Sequence, residues 1–281
     1  MASFFSVENN QILEERKICD SDFARTQLDN EAHFLHQLNL DDSSFKKVQI
    51  PKVISYTDDL VLSSNRPPAA EMSDQLEDLH IEALDEIYQK NLGEITSSWF
   101  IDSISAINTI KAFKLILQEG LHPNGISGEH VEELSIDLIS LIQKLDKNTR
   151  LRSSLYHGNF EPSNCLILND VLYLNNFQKS KENCPLLFDV FHYMFYLAER
   201  EEMPSMGFFD DQMKYAFKNK SILKMIETYQ INFKEHLALF HIYHILGKME
   251  QFLKQRFINP NVNFTLVFYR QALERMNALE L

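Results

Sequence analysis

Tyr156-His157-Gly158-Asn159-Phe160-Glu161-Pro162-Ser163-Asn164, followed by Leu172-Tyr173-Leu174-Asn175-Asn176-Phe177-Gln178, is the stretch that decides the fold. Between its halves, Cys165 to Leu174 carries two short apolar runs around Asn169-Asp170, a pair suited to a tight hairpin turn. The segment therefore reads as a loop, a hairpin and a second loop, with three asparagines, Asn159, Asn164 and Asn176, at its polar positions. An amide resembles a carboxylate in shape and keeps an acceptor oxygen, but it takes no proton near neutral pH. Immediately downstream, Pro185-Leu186-Leu187-Phe188-Asp189-Val190-Phe191-His192 begins an apolar helix with one carboxylate near its start.

Outward from this segment the chain is asymmetric. Residues 1–150 carry 13 Lys and Arg against 26 Asp and Glu, whereas residues 151–281 carry 14 of each, so the whole net charge of −13 lies in the first half. An acidic surface excludes nucleic acid as a partner, since that affinity comes from neutralising phosphates. A basic protein partner fits it better, through the acidic N-terminal half or through residues 71–90, where Asp74, Glu77, Asp78, Glu82, Asp85 and Glu86 mark an acidic face. No apolar run reaches the roughly 18 residues of a membrane helix, so no membrane insertion is expected. The three cysteines form no CxxC pair and the N-terminus lacks a basic signal-like region, which together suggest a cytoplasmic protein.

Periodicity predicts short extended segments over residues 4–19 around a Glu8–Gln11 turn, a helix from Asp22 to Leu38 capped by Asp20 or Ser21, and two strands within residues 48–62. Asn65-Arg66-Pro67-Pro68 reads as a linker. Helices are then expected over 71–90, 98–118, 128–146, 185–200, 208–219, 221–256 and 261–279. The His33/His36 and His241/His244 pairs have a spacing that metal ligands use on a helix, but no further ligand cluster accompanies them. Asp170 reads as a solvated turn residue.

The opening segment resembles the catalytic core of the aminoglycoside phosphotransferase and choline kinase family, and its wording is similar to members found with bacterial surface-polysaccharide genes. The resemblance implies an α+β, protein kinase-like two-lobed fold: a reduced N-lobe over residues 1–66 and a mostly helical C-lobe over 67–281. The family pattern places an acid after His-Gly, an Asn five positions on, and a second acid after the hairpin. Position by position, Asn159 stands at the catalytic base, Asn164 at a metal-ligating amide, and Asn176 at the acid that holds Mg²⁺. The resemblance further implies structural roles for His157, Gly158 and Asp189, and a nucleotide-phosphate contact from Lys17 paired with Glu31. Glu161 offers a substitute carboxylate beside the vacated base position.

Phosphoryl transfer is mostly positioning and charge neutralisation, and Mg²⁺ prefers anionic oxygen. General-base help alone is worth about 10²–10⁴ in rate. Residues 1–92 also contain no glycine, so the glycine-rich phosphate-covering loop is expected to be missing or reduced. The expectation is a pseudokinase serving as a binding or regulatory module. The alternatives are an active ATP-dependent phosphotransferase on a sugar or other small hydroxylated metabolite, with ATP and Mg²⁺ as its cofactors, and a nucleotide sensor without turnover.

Overall fold

The computed structural model describes residues 2–8, 11–18, 21–39, 45–57, 60–66, 70–118, 126–200, 204–254 and 262–277. Along the chain run strands β1 (Ala2–Glu8) and β2 (Gln11–Ile18), helix α1 (Asp22–Asn39), strands β3 (Val48–Gln49), β4 (Lys52–Thr57), β5 (Leu60–Arg66) and β6 (Glu71–Met72), and helix α2 (Asp78–Lys90). Then come β7 (Gly93–Thr96), α3 (Ser97–Ser103), α4 (Ala106–Gln118), α5 (Gly128–Lys144), β8 (Arg150–Tyr156), β9 (Cys165–Leu168), β10 (Val171–Leu174) and β11 (Lys181–Pro185). Helices α6 (Phe188–Glu199), α7 (Met206–Lys218), α8 (Lys220–Tyr229), α9 (Phe233–Lys254) and α10 (Val262–Asn277) complete it. This is an α+β chain, as the sequence implies. No helix among the described residues is long and apolar enough to cross a membrane.

The chain packs as two compact units, residues 1–92 with 154–184, and residues 93–153 with 185–281. In the first, β1, β2, β5 and β4 form an antiparallel sheet in the order β1-β2-β5-β4, with Lys17 opposite Val61. Helix α1 packs on β4 and β5 and on a 3-10 turn, Phe177–Lys179. Its apolar stripe Leu28, Ala32, Leu35 and Leu38 is buried, the i, i+3, i+4 spacing that places side chains on one helix face. Ser21 Oγ accepts the Ala24 N–H at 3.3 Å and so caps the helix; Asp20, the other expected cap, lies outside the described residues. A second sheet, in the order β3-β10-β9-β6, is built on the β9–β10 hairpin. Asn169 and Asp170 both have positive φ (53° and 58°), the conformation a two-residue type I′ turn demands.

The second unit is mostly helical. Its core is aromatic: Phe188 meets Phe100 and Phe240 edge to face at 5.3 Å in each case, and Phe195 packs on Phe209 at 5.1 Å. Strands β7 and β8 pair antiparallel within it.

Several boundaries differ from the periodic reading. The helix expected over 71–90 begins only at Asp78, because Ser73 Oγ takes the Gln75 N–H into a local turn and His80 Nδ1 accepts the Glu77 N–H at the helix start. The helix expected over 98–118 is broken into α3 and α4 at Ser105, whose φ is 49°. The one expected over 221–256 is broken into α8 and α9: Gln230 is left-handed at φ 53°, and Asn232 Oδ1 caps the next helix through the Glu235 N–H. Residues 48–62 give β3, β4 and part of β5, three strands rather than two, with Pro51 between the first pair. Asn65 and Arg66 end β5, while Pro67 and Pro68 lie outside the described residues, as do Asn9 and Asn10 of the expected first turn.

Candidate functional site

The residues singled out by sequence fall together in the first unit, apart from Asp189. Lys17, on β2, and Glu31, on α1, form a buried ion pair. The ammonium donates to both carboxylate oxygens at 2.7 Å, and the side chains are 6% and 3% exposed. Such a pair withstands desolvation only when geometry is good and the remaining lone pairs are used. Here Glu31 Oε1 also accepts the Phe177 N–H at 3.3 Å. Its neighbour Asn30 donates through Nδ2 to the carbonyls of Gln178 and Ser180, each at 3.0 Å. Two consecutive residues of α1 thus fasten the turn that follows Asn176.

The loop from His157 to Asn164 is fixed from both sides. The His157 Nδ1 accepts the Asn159 N–H at 3.3 Å, so its Nε2–H donates to the Asn175 carbonyl at 2.8 Å. Burial lowers the imidazole pKa to about 3. The Asn175 carbonyl opposes this, and the charges of Lys17 and Lys179 lower it further. His157 is therefore a neutral strut near physiological pH. Gly158 has φ +76°, and a Cβ there would lie 2.3 Å from the Lys179 carbonyl oxygen; both the conformation and the close approach require glycine. Ser180 Oγ donates to the His157 carbonyl at 3.0 Å, and the Asn175 N–H donates to the Asn164 carbonyl at 3.0 Å.

Asn159 and Asn164 are buried, each 8% exposed. Asn159 Oδ1 accepts from the Lys179 ammonium at 3.4 Å. Asn164 donates through Nδ2 to the Asn159 carbonyl at 2.9 Å and to Glu161 Oε1 at 3.3 Å. The same Glu161 oxygen accepts from Ser163 Oγ at 2.8 Å, so this carboxylate is engaged within its own loop. Asn176 opens the 3-10 turn in the left-handed region, φ 66° and ψ 63°, which Asn tolerates better than most residues. Its Oδ1 is buried with no hydrogen-bond partner among the described residues. Asp189 is buried in the first turn of α6, in the second unit.

These donors do not fit Mg²⁺. An orphaned acceptor at Asn176 would welcome a cation or a proton donor, but positions 159, 164 and 176 provide only neutral amides and so none of the anionic oxygen that a hard divalent ion prefers. Among the described residues no group of three or more His, Cys, Asp and Glu could hold a metal. The histidine pairs serve other ends: His241 Nε2 contacts the Tyr269 carbonyl and His244 Nε2 contacts Glu199, while His33 and His36 are exposed.

Sequence reasoning missed three participants: Lys179, which reaches Asn159; Asn30, which holds the turn; and Ser180, which holds His157. Lys179 lies only three residues past Asn176, so its place within the turn was the available signal.

No protein-family profile and no curated protein matches the chain. Solved structures do. It is similar over 98% of its length to 91% of the ADP-bound aminoglycoside phosphotransferase APH(2'')-Ib, with TM-score 0.54 and 14% identity. It is also similar over 99% of its length to 84% of an ethanolamine kinase from Plasmodium vivax, with TM-score 0.55 and 12% identity. A glucosamine kinase matches over 91% of this chain and 73% of its own, with TM-score 0.52 and 10% identity. The chain therefore has an aminoglycoside phosphotransferase/choline kinase-like, protein kinase-like fold.

Proposed function

We propose that this chain is a pseudokinase: it retains the phosphotransferase scaffold, has lost phosphoryl transfer, and works as a binding or regulatory module in the cytoplasm. The observation that carries the reading is the environment of Asn159. A general base needs a free, proton-accepting atom within reach of the attacking hydroxyl. Asn159 provides an amide oxygen that already accepts from Lys179, and in Glu161, the nearest substitute, one carboxylate oxygen already accepts from both Ser163 and Asn164. The β1–β2 connection, Asn9-Asn10, contains no glycine, which weakens the case for a phosphate-covering loop there. A basic protein partner on the acidic N-terminal half suits the charge distribution.

A second reading, nucleotide binding without turnover, is favoured by the intact Lys17–Glu31 pair. An active kinase on a small hydroxylated metabolite is the competing enzyme reading, since the structural neighbours include kinases of aminoglycosides, ethanolamine and glucosamine. The deciding experiment is phosphoryl transfer from labelled ATP with Mg²⁺ or Mn²⁺, to water and to a panel of sugars and amino alcohols. The expected outcome is no transfer; transfer that Asn164→Ala abolishes overturns the proposal.

A further inference from the structure

The pseudokinase reading leaves open what the retained scaffold binds, and the role assigned to Lys179 rests on that reading. In a site with two carboxylates, a divalent cation does two things: it neutralises the acids, and it attracts the phosphates. In this chain both acid positions are amides, which removes two negative charges. One positive charge stands beside the first of them. The Lys179 ammonium lies 3.4 Å from Asn159 Oδ1, and Lys179 is the last residue of the 3-10 turn that Asn176 opens.

Among the described residues no carboxylate lies within salt-bridge distance of Lys179; its hydrogen bond is to a neutral amide. The other charges at the site are accounted for. Lys17 and Glu31 neutralise each other, and Glu161 is bonded within its loop. The backbone beneath Lys179 is rigidly held, by the Gly158 close approach to its carbonyl and by Asn30 on the carbonyls either side of it. An ammonium on a fixed turn, bonded to a neutral amide, is a tethered monovalent cation.

We propose that Lys179 takes the place of the metal, so that the site binds the polyphosphate of a metal-free nucleoside triphosphate and is indifferent or averse to its magnesium complex. Asn159 orients the ammonium, and the missing carboxylates remove the repulsion that would otherwise demand a divalent ion. Complexation by Mg²⁺ takes up the phosphate oxygens and charge that Lys179 would use, so metal lowers affinity or leaves it unchanged.

The test is titration of the full-length protein with ATP in EDTA, and again with excess Mg²⁺, alongside Lys179→Gln and competition by inorganic tripolyphosphate. The expected results are saturable binding in EDTA, no gain with Mg²⁺, at least a tenfold loss in Lys179→Gln, and displacement by tripolyphosphate. Lys179 is exposed, so the variant should melt with the wild type; a lower melting temperature would instead be met by Lys179→Arg, which should keep the binding. Absence of binding in EDTA, a tenfold gain with Mg²⁺, an unchanged Lys179→Gln or failure of tripolyphosphate to compete overturns the inference. None of these outcomes involves phosphoryl transfer, so the inference can fail while the pseudokinase reading stands. Transfer by the wild type would overturn that reading instead.

Discussion

At the scale of single residues, the balance of charge at the Lys17–Glu31 pair sets what can be changed. Both groups are almost fully withdrawn from water, and a buried charge left without its partner costs about 3–5 kcal/mol. Lys17→Met is therefore expected to lose about that much stability in urea denaturation. Lys17→Met combined with Glu31→Gln should recover much of the loss, because Gln keeps an acceptor for the Phe177 N–H and carries no charge. A loss below about 1 kcal/mol in the single variant would mean that water reaches the pair. The same logic separates Asn159 from Asn176: one amide oxygen is satisfied by an ammonium, the other is buried without a partner among the described residues.

At the scale of elements, the site is a set of connections made by short segments. Helix α1 fixes the 3-10 turn through Asn30 and Glu31, the turn fixes the loop through Gly158 and Ser180, and the loop fixes itself through His157 and Asn164. Elsewhere, left-handed residues other than glycine separate helices. Gln230 ends α8 with φ 53°, its side chain is exposed, and its N–H bonds to the α8 carbonyls of Ile226 and Glu227. Gln230→Gly should therefore raise stability by about 0.5–1 kcal/mol in denaturant titration, since it relieves strain without losing a contact; destabilisation would mean the Gln side chain contributes to packing.

This also explains what the sequence could reveal. His157, Gly158, Asn164, Lys17 and Glu31 were legible through the family resemblance of the sequence around them, and the fold gathers them in one unit, where a positive φ at Gly158 and a buried ion pair give the residue types a physical reason. The helix breaks at Ser105 and Gln230 were not, because neither position carries the Gly or Pro that usually marks one. Lys179 was hidden for a different reason. A lysine in a turn looks solvated, and only the fold brings it to Asn159, 20 residues away in sequence.

At the scale of the whole molecule, buried imidazoles in both units govern the response to acid. Burial lowers His80 and His236 to about 4, and His157 and His241 to about 3, from an ordinary 6.5. Below pH 6.5 the unfolded chain takes up protons that the folded chain refuses. Stability is thus full above that value and falls as pH drops, by up to about 1.4 kcal/mol per pH unit for each imidazole. Glu199 adds to this at lower pH. Burial alone would raise its carboxyl, but His244 and Lys248 hold it well below the usual range, so its contribution is present above about 4.5 and is lost beneath. The melting temperature should hold from pH 7.5 to about 6.5 and then decline to pH 5; a flat profile over the lower part of that range would contradict the buried, neutral imidazoles.

The central claim is that this kinase fold has kept its frame and lost its chemistry. It is tested most directly by the rate at which purified wild-type protein releases phosphate from ATP with Mg²⁺ or Mn²⁺, measured beside Asn164→Ala. The account predicts that the two proteins are indistinguishable from buffer. Turnover by the wild type that disappears in Asn164→Ala would contradict it.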